Sequence, residues 1–338
     1  MEPEDELATN EMETNPLRPA LLDVDKFLAL EIPNKSPILY PWLTEQSINL
    51  VSGWRGTGKT WFALSLFDCI SKGQGFGPWN TVSPVPCLYM DGEMTTLDIQ
   101  HRLRLLMDAD HTERKSNLII YSDAYANSLG IPRARLDSAL WRSELKELLI
   151  GEGIKLVCFD NIASLTPGKD ENIKKDWDET NQWLLGLRFE GISSLLLHHT
   201  GKAGQQRGTS AREDNINVSI VLVKPSDYIE DEGAKFLVRF SKIRGDSRDQ
   251  SLLQDLEFTL TQTEDRVGWA WANVRGKIKY EILTMLAEGV KQVEICTLLQ
   301  VSKGYVSQIK AEGVKSGLLS PTGKLTKAGK DEIYGKIE

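Results

Sequence analysis

Residues 53–60 read GWRGTGKT, a match to the spacing G-x-x-x-x-G-K-[ST]. Residue types in that order bind phosphate. Gly53, Gly56 and Gly58 let the chain turn so that backbone N–H groups point inward around anionic oxygens. Lys59 supplies a point charge to the β- and γ-phosphates, and the Thr60 hydroxyl suits a magnesium ion. Arg55, Thr57 and Trp61 fall beside a nucleotide held there. The apolar run SINLVS precedes the loop and WFALSLFDCISKG follows it. That is the strand–loop–helix context the motif requires, and the helix start adds its positive end.

A magnesium–nucleotide site also needs a carboxylate at the end of a buried strand close to the loop. KLVCFDN ends in Asp160, which fits; an Asp capping a strand-end turn is the plainer alternative. Hydrolysis further needs a base to orient water. Asn161, the next residue, is an amide and takes no proton. The strand LYMDGEM offers Asp91 and Glu93 instead. Acids at the tip of a parallel strand face the ligand crevice. Glu93 is therefore the expected base, with Asp91 standing behind it; a solvated turn pair is the competing reading.

The elements that must position these groups follow from periodicity. From residue 47 to 272, short apolar runs (PCLYMD, NLIIYSD, KLVCFDN, SSLLLHHT) alternate with helical patterns such as LDSALWRSELKELLIGEG and KDWDETNQWLLGLRFEG. Nearly continuous apolar strands alternating with helices predict an α/β fold, a mainly parallel sheet covered on both faces. NINVSIVLVKP and KFLVRFSKIR lack an intervening helix, so antiparallel strands are expected at one edge. In TTLDIQHRLRLLMDAD the apolar side is expected at Leu97, Leu103, Leu106 and Met107. Residues 1–20 hold six acids and suit a disordered tail. Residues 21–46 make a lead-in: helical spacing in LLDVDKFLAL, then a Pro-punctuated loop, IPNKSPILYPWL.

Three features together resemble the RecA-like ATPases. The Glu lies on the strand after the loop helix, the metal-type Asp has no Glu behind it, and the polar pair His198–His199 ends SSLLLHHT. Within that group, HHTGKAGQQRGTSA is similar to the plasmid RepA-type hexameric helicases and their mobile-element relatives. The resemblance spans residues 35–272. It implies ATP and Mg²⁺ as ligands, His199 as a sensor of the γ-phosphate, and a loop facing DNA through Lys202, Arg207 and Arg212. A flexible loop with cationic tips suits backbone contact, and equally suits a solvated surface. The resemblance also implies that Lys242 and Arg244 reach the γ-phosphate of an adjacent subunit in a ring, taken as a hexamer. The residues alone add that His198 and His199 face opposite ways on a strand. A long helical N-terminal domain, usual in bacterial replicative helicases, has no counterpart in the 45 or so residues before the core.

Residues 277–338 differ in composition. Ten lysines stand against seven acids, a balance of +3, so the chain before them carries −11 of the total −8. Such a net charge excludes indiscriminate polyanion binding over the whole surface. KIKYEILTMLAEG, QVEICTLLQ and GYVSQIKAEGVKSG read as three helices, with Ser302 as a cap. LLSPTGKLTKAG reads as two strands about a Pro-Thr-Gly turn. This order resembles a winged helix-turn-helix. Lys303, Tyr305, Ser307, Gln308 and Lys310 would face a partner, with Lys324 and Lys327 on the wing. DNA, single-stranded or forked, and a docked protein both remain open as that partner.

The four cysteines have no metal or redox spacing and suit a reducing cytoplasm; no signal or membrane-spanning run is present. The expected activity is that of an ATP-hydrolysing DNA motor. The alternative is an ATP-switched DNA-binding regulator or recombination accessory protein without unwinding.

Overall fold

The computed structural model describes residues 15–106, 117–167, 174–200, 215–225, 228, 233–244, 250–262, 267–299 and 301–334. The chain divides into two units, Met1–Ser36 and Pro37–Glu338. In the first, a 3-10 turn at Arg18–Ala20 lies within the stretch expected to be a disordered tail. A helix follows at Val24–Leu28, shorter than the ten-residue pattern suggested. Asp23 starts it by accepting a hydrogen bond from the Lys26 amide at 2.8 Å.

In the second unit the strands are β1 (Pro37–Tyr40), β2 (Leu43–Thr44), β3 (Ile48–Gly53), β4 (Asn80–Thr81), β5 (Cys87–Asp91), β6 (Leu118–Ser122), β7 (Leu156–Asp160), β8 (Ser193–His199), β9 (Val218–Val223), β10 (Lys235–Ile243), β11 (Leu256–Gln262) and β12 (Val267–Asn273). Nine of them form one sheet in the order β12-β11-β10-β9-β3-β8-β7-β5-β6. The six strands from β9 to β6 are parallel, and β10 to β12 extend the sheet antiparallel at one edge. The expected α/β class is therefore what the chain adopts.

Burial explains the apolar strands. β3, β5 and β7 are buried along their whole length. Alternate residues feed two cores, because successive strand side chains face opposite ways. Val51, Tyr89, Cys158 and Leu197 pack beneath the helix Lys59–Ser71. Leu50, Met90, Phe159 and Leu196 pack beneath the helices Ala139–Gly151 and Lys174–Phe189.

Two expectations change. The Pro-punctuated IPNKSPILYPWL is not a plain loop, because β1 and β2 pair within it and β4 joins them in a small antiparallel sheet. Its Ile38, Leu39, Trp42 and Leu43 are buried in the first core, and that apolar burial outweighs the prolines. On the helix Thr96–Leu106, Leu97 points to solvent and Ile99 and Leu105 are the buried residues. Met107 lies outside the described residues.

The antiparallel edge is joined to the first core by aromatic rings. Phe62, from the helix after the loop, meets Phe76, Trp79, Phe236 and Phe258 edge-on, with centroids 5.5–6.5 Å apart. Trp269 on β12 donates to Ser65 Oγ of the same helix at 2.8 Å. β12 then runs into the helix Val274–Ala287 without an intervening loop. Asn273 Oδ1 accepts from the Gly276 amide, and the Val274 amide donates to Asp255 O at 3.0 Å.

That helix, with Gln292–Leu299 and Lys303–Lys315, encloses a separate small core of Ile282, Leu283, Ile295, Val306 and Ile309. Ser302 caps the third helix, accepting from the Tyr305 amide. The two wing strands shrink to a single antiparallel pairing, Leu319 with Leu325, around the Pro-Thr-Gly turn. Lys327 is not on a wing strand; it begins a further helix, Lys327–Tyr334. No helix among the described residues is long and apolar enough to cross a membrane.

Candidate active site

The glycine-rich loop leaves the carboxyl end of β3 and enters the helix Lys59–Ser71. Gly53 is required sterically: a Cβ there would lie 2.8 Å from the Leu222 carbonyl oxygen on β9. Gly58 is required conformationally, since it caps the helix with φ +96°. Lys59 Nζ folds back onto the loop, donating to Gly53 O at 2.8 Å and Trp54 O at 3.0 Å. Burial lowers its ammonium to about 8, and Asp160 opposes that shift.

β7 and β5 are neighbours in parallel register, so Asp160 and Asp91 are paired across the strand ends. Asp160 Oδ2 accepts from Thr60 Oγ1 at 2.8 Å and from the Tyr89 hydroxyl at 2.6 Å. Burial raises this carboxyl above its usual range, and those two hydroxyls pull it back. Asp91 is fully buried, and its Oδ2 accepts from the amides of Glu93 (3.1 Å) and Met94 (2.8 Å). It therefore builds the turn that carries Glu93 outward. Burial pushes the Asp91 carboxyl up to about 7, and the charge of Asp160 adds to that.

Glu93 meets two partners. Asn161 Nδ2 donates to its Oε2, and His199 Nε2 lies 3.6 Å from the same oxygen. Asn161 Nδ2 is also 3.1 Å from His199 Nε2. The amide nitrogen has no lone pair to accept with, so in that contact Nδ2 donates and Nε2 accepts. Burial, then the charge of Lys59, holds His199 below its ordinary value. His198 is buried and His199 is partly exposed, as strand alternation predicts. The Asp160–Asn161 peptide is cis.

Lys59, Thr60, Glu93, Asp160 and His199 line one cleft of about 500 Å³, together with Arg55, Gly56, Gly58 and Trp61. Thr57 is buried in the loop behind it, its hydroxyl donating to Trp54 O. The cleft has the size of a small-molecule site, roughly 300–1,000 Å³. A serine-type hydroxyl beside a buried carboxylate is the hard oxygen donor set that suits Mg²⁺. The residues present thus fit a magnesium–nucleotide pair. Sequence reasoning missed Tyr89, Arg102 and Tyr228. Arg102 stacks over the Trp61 ring at 5.0 Å, and Tyr228 lines the far wall. Only Tyr89 left a signal, a phenol inside a buried strand, which needs an acceptor.

Other expected residues lie elsewhere. Lys242 is the penultimate residue of β10 and Arg244 follows the strand; the Arg244 amide donates to Asn217 O, whose own amide donates to Ile48 O. Ile48 starts β3 and Gly53 ends it, so Arg244 sits at the opposite end of the sheet, roughly 17 Å of strand from its own loop, and Lys242, level with Ser219 and Leu50, roughly 10 Å. Lys202, Arg207 and Arg212 fall outside the described residues. On the helix Lys303–Lys315, Lys303 is exposed and Lys310 half-buried.

A model of the AAA domain family (AAA_25) matches residues 13–205, more than half of the chain, and includes the loop, Glu93, Asp160 and His199. The chain belongs to the AAA domain family. A second family model, wHTH-PRTase associated, matches residues 280–335 of this AAA-domain protein. Among solved structures it is similar to a KaiC-like protein from the archaeon Pyrococcus horikoshii, at 17% identity and a TM-score of 0.46, over 67% of this chain and 90% of that one. No curated protein matches. By family this is a nucleotide-binding P-loop ATPase with a helix-turn-helix module of winged type behind it.

Proposed function

We propose that this AAA-domain protein is a Mg²⁺-dependent ATPase that drives a DNA motor, a ring-forming helicase of the plasmid RepA type. The convergence of Lys59, Thr60, Asp160 and Glu93 in one cleft supports the reading. The loop amides and Lys59 bind the β- and γ-phosphates. Thr60 and Asp160 would hold the metal, which neutralises developing phosphate charge. Glu93 orients a water and takes its proton as the water oxygen bonds to the γ-phosphorus and the bond to ADP breaks. His199 contacts the departing phosphate and reports its presence to the loop after β8.

DNA would run past Lys202, Arg207 and Arg212, with Lys303 and Lys310 as backbone contacts of the C-terminal module. A second reading has a specific observation in its favour: the C-terminal helix-turn-helix suits an ATP-switched regulator. Strand displacement on a forked duplex, with particle size measured with and without ATP, separates the two. A motor shows DNA-stimulated turnover, ring particles and displacement. A switch binds DNA in an ATP-dependent way and displaces nothing.

A further inference from the structure

Asn161 follows the metal-type aspartate, and its amide makes contacts in two directions. Its Oδ1 accepts from the Ser164 amide at 3.0 Å and from Ser164 Oγ at 3.3 Å, capping the short helix Ile162–Leu165. That bond fixes the plane of the buried side chain and aims Nδ2 toward Glu93 and His199. A primary amide carries two N–H donors. Here one faces Glu93 Oε2 and the other His199 Nε2. Turning the amide over would set its oxygen against the Glu93 carboxylate and its NH₂ against the Ser164 amide.

We infer that Asn161 is a positioning residue that couples the base Glu93 to the sensor His199, through the two N–H groups of one amide. The coupling rests on the ATPase reading above. It gives His199 a route to the reacting water. His199 ends β8, and the next residue, Thr200, donates its amide to Gly53 O of the phosphate loop at 3.1 Å. A shift of the sensor or of the loop breaks or remakes the contact that orients the base.

The cap and the coupling can be separated by substitution. Serine and threonine both cap helices, so Asn161→Ser and Asn161→Thr keep an acceptor for Ser164 without placing a charge beside Glu93. Neither presents the second donor. The test measures kcat, KM and affinity for a fluorescent ATP analogue in both variants, alone and combined with His199→Ala. Expected is a kcat loss of at least roughly tenfold with analogue affinity held within about twofold. His199→Ala should cost about tenfold in the native background and less than about twofold in either Asn161 variant. If Asn161→Ser melts at lower temperature, Asn161→Thr, closer in volume, carries the comparison.

Multiplying losses in the double variants, or wild-type kcat in both single variants, would overturn the coupling alone. Absence of hydrolysis by the wild-type chain would overturn the ATPase reading and the coupling with it.

Discussion

Three carboxyls share one pair of strand ends, and their surroundings give them different work. Glu93 is half exposed and faces the cleft, Asp160 is gripped by two hydroxyls, and Asp91 is sealed beneath the turn. Glu93→Gln should keep ATP affinity and lose at least about 100-fold in turnover, read by binding and steady-state assays. Asp91 has a different signature. Its carboxyl is raised in the folded chain to about 7, against an ordinary value near 4, roughly. A raised value means that the folded state holds the proton more tightly. The stability this contributes is complete below about pH 4 and is lost as pH rises through about 7. Asp91→Asn keeps an acceptor for the two turn amides and carries no charge. Its stability advantage over wild type should widen between about pH 4 and 7 and then stay level, measured by guanidinium unfolding without metal. Lys59, Thr60 and Asp160 were legible because the motif and the strand-end rule specify them. The bonds of Asn161 and Tyr89 were not, since both depend on which strands lie side by side.

Helices and parallel strands were readable from period and length, and the sequence reading of those segments survives almost intact. The failures share a cause. β1 and β2 looked like loop because local proline signals masked a burial set by distant partners, Trp79 and Phe240 meeting Trp42 edge-on. The final helix, Lys327–Tyr334, was hidden because its first residues resembled a wing strand. Close backbone approach holds it in place. A Cβ at Gly329 would lie 2.2 Å from the Leu318 carbonyl oxygen, a contact that no side-chain rotation relieves. Gly329→Ala should destabilise the C-terminal module by about 1–3 kcal/mol, seen as an earlier melting phase, while nucleotide affinity stays unchanged.

The sheet as a whole carries its phosphate loop at one end and Arg244 at the other. Within one chain they cannot serve the same phosphate, whereas head-to-tail copies would bring them together. Arg244→Ala and Lys59→Ala should each abolish turnover, and mixing the two proteins should restore part of it. No recovery at any ratio, with subunit exchange verified by labelled chains, would count against a shared site. The junction at Asn273 bears on how such a ring would use its fuel. Trp269 grips the helix that follows the phosphate loop, and five residues later the same strand becomes the first helix of the C-terminal module. That is a stiff crank in place of a slack tether. In the motor reading a small rotation of the loop helix would reach the module as torque, and two glycines inserted between Asn273 and Val274 should let the engine turn without moving its load.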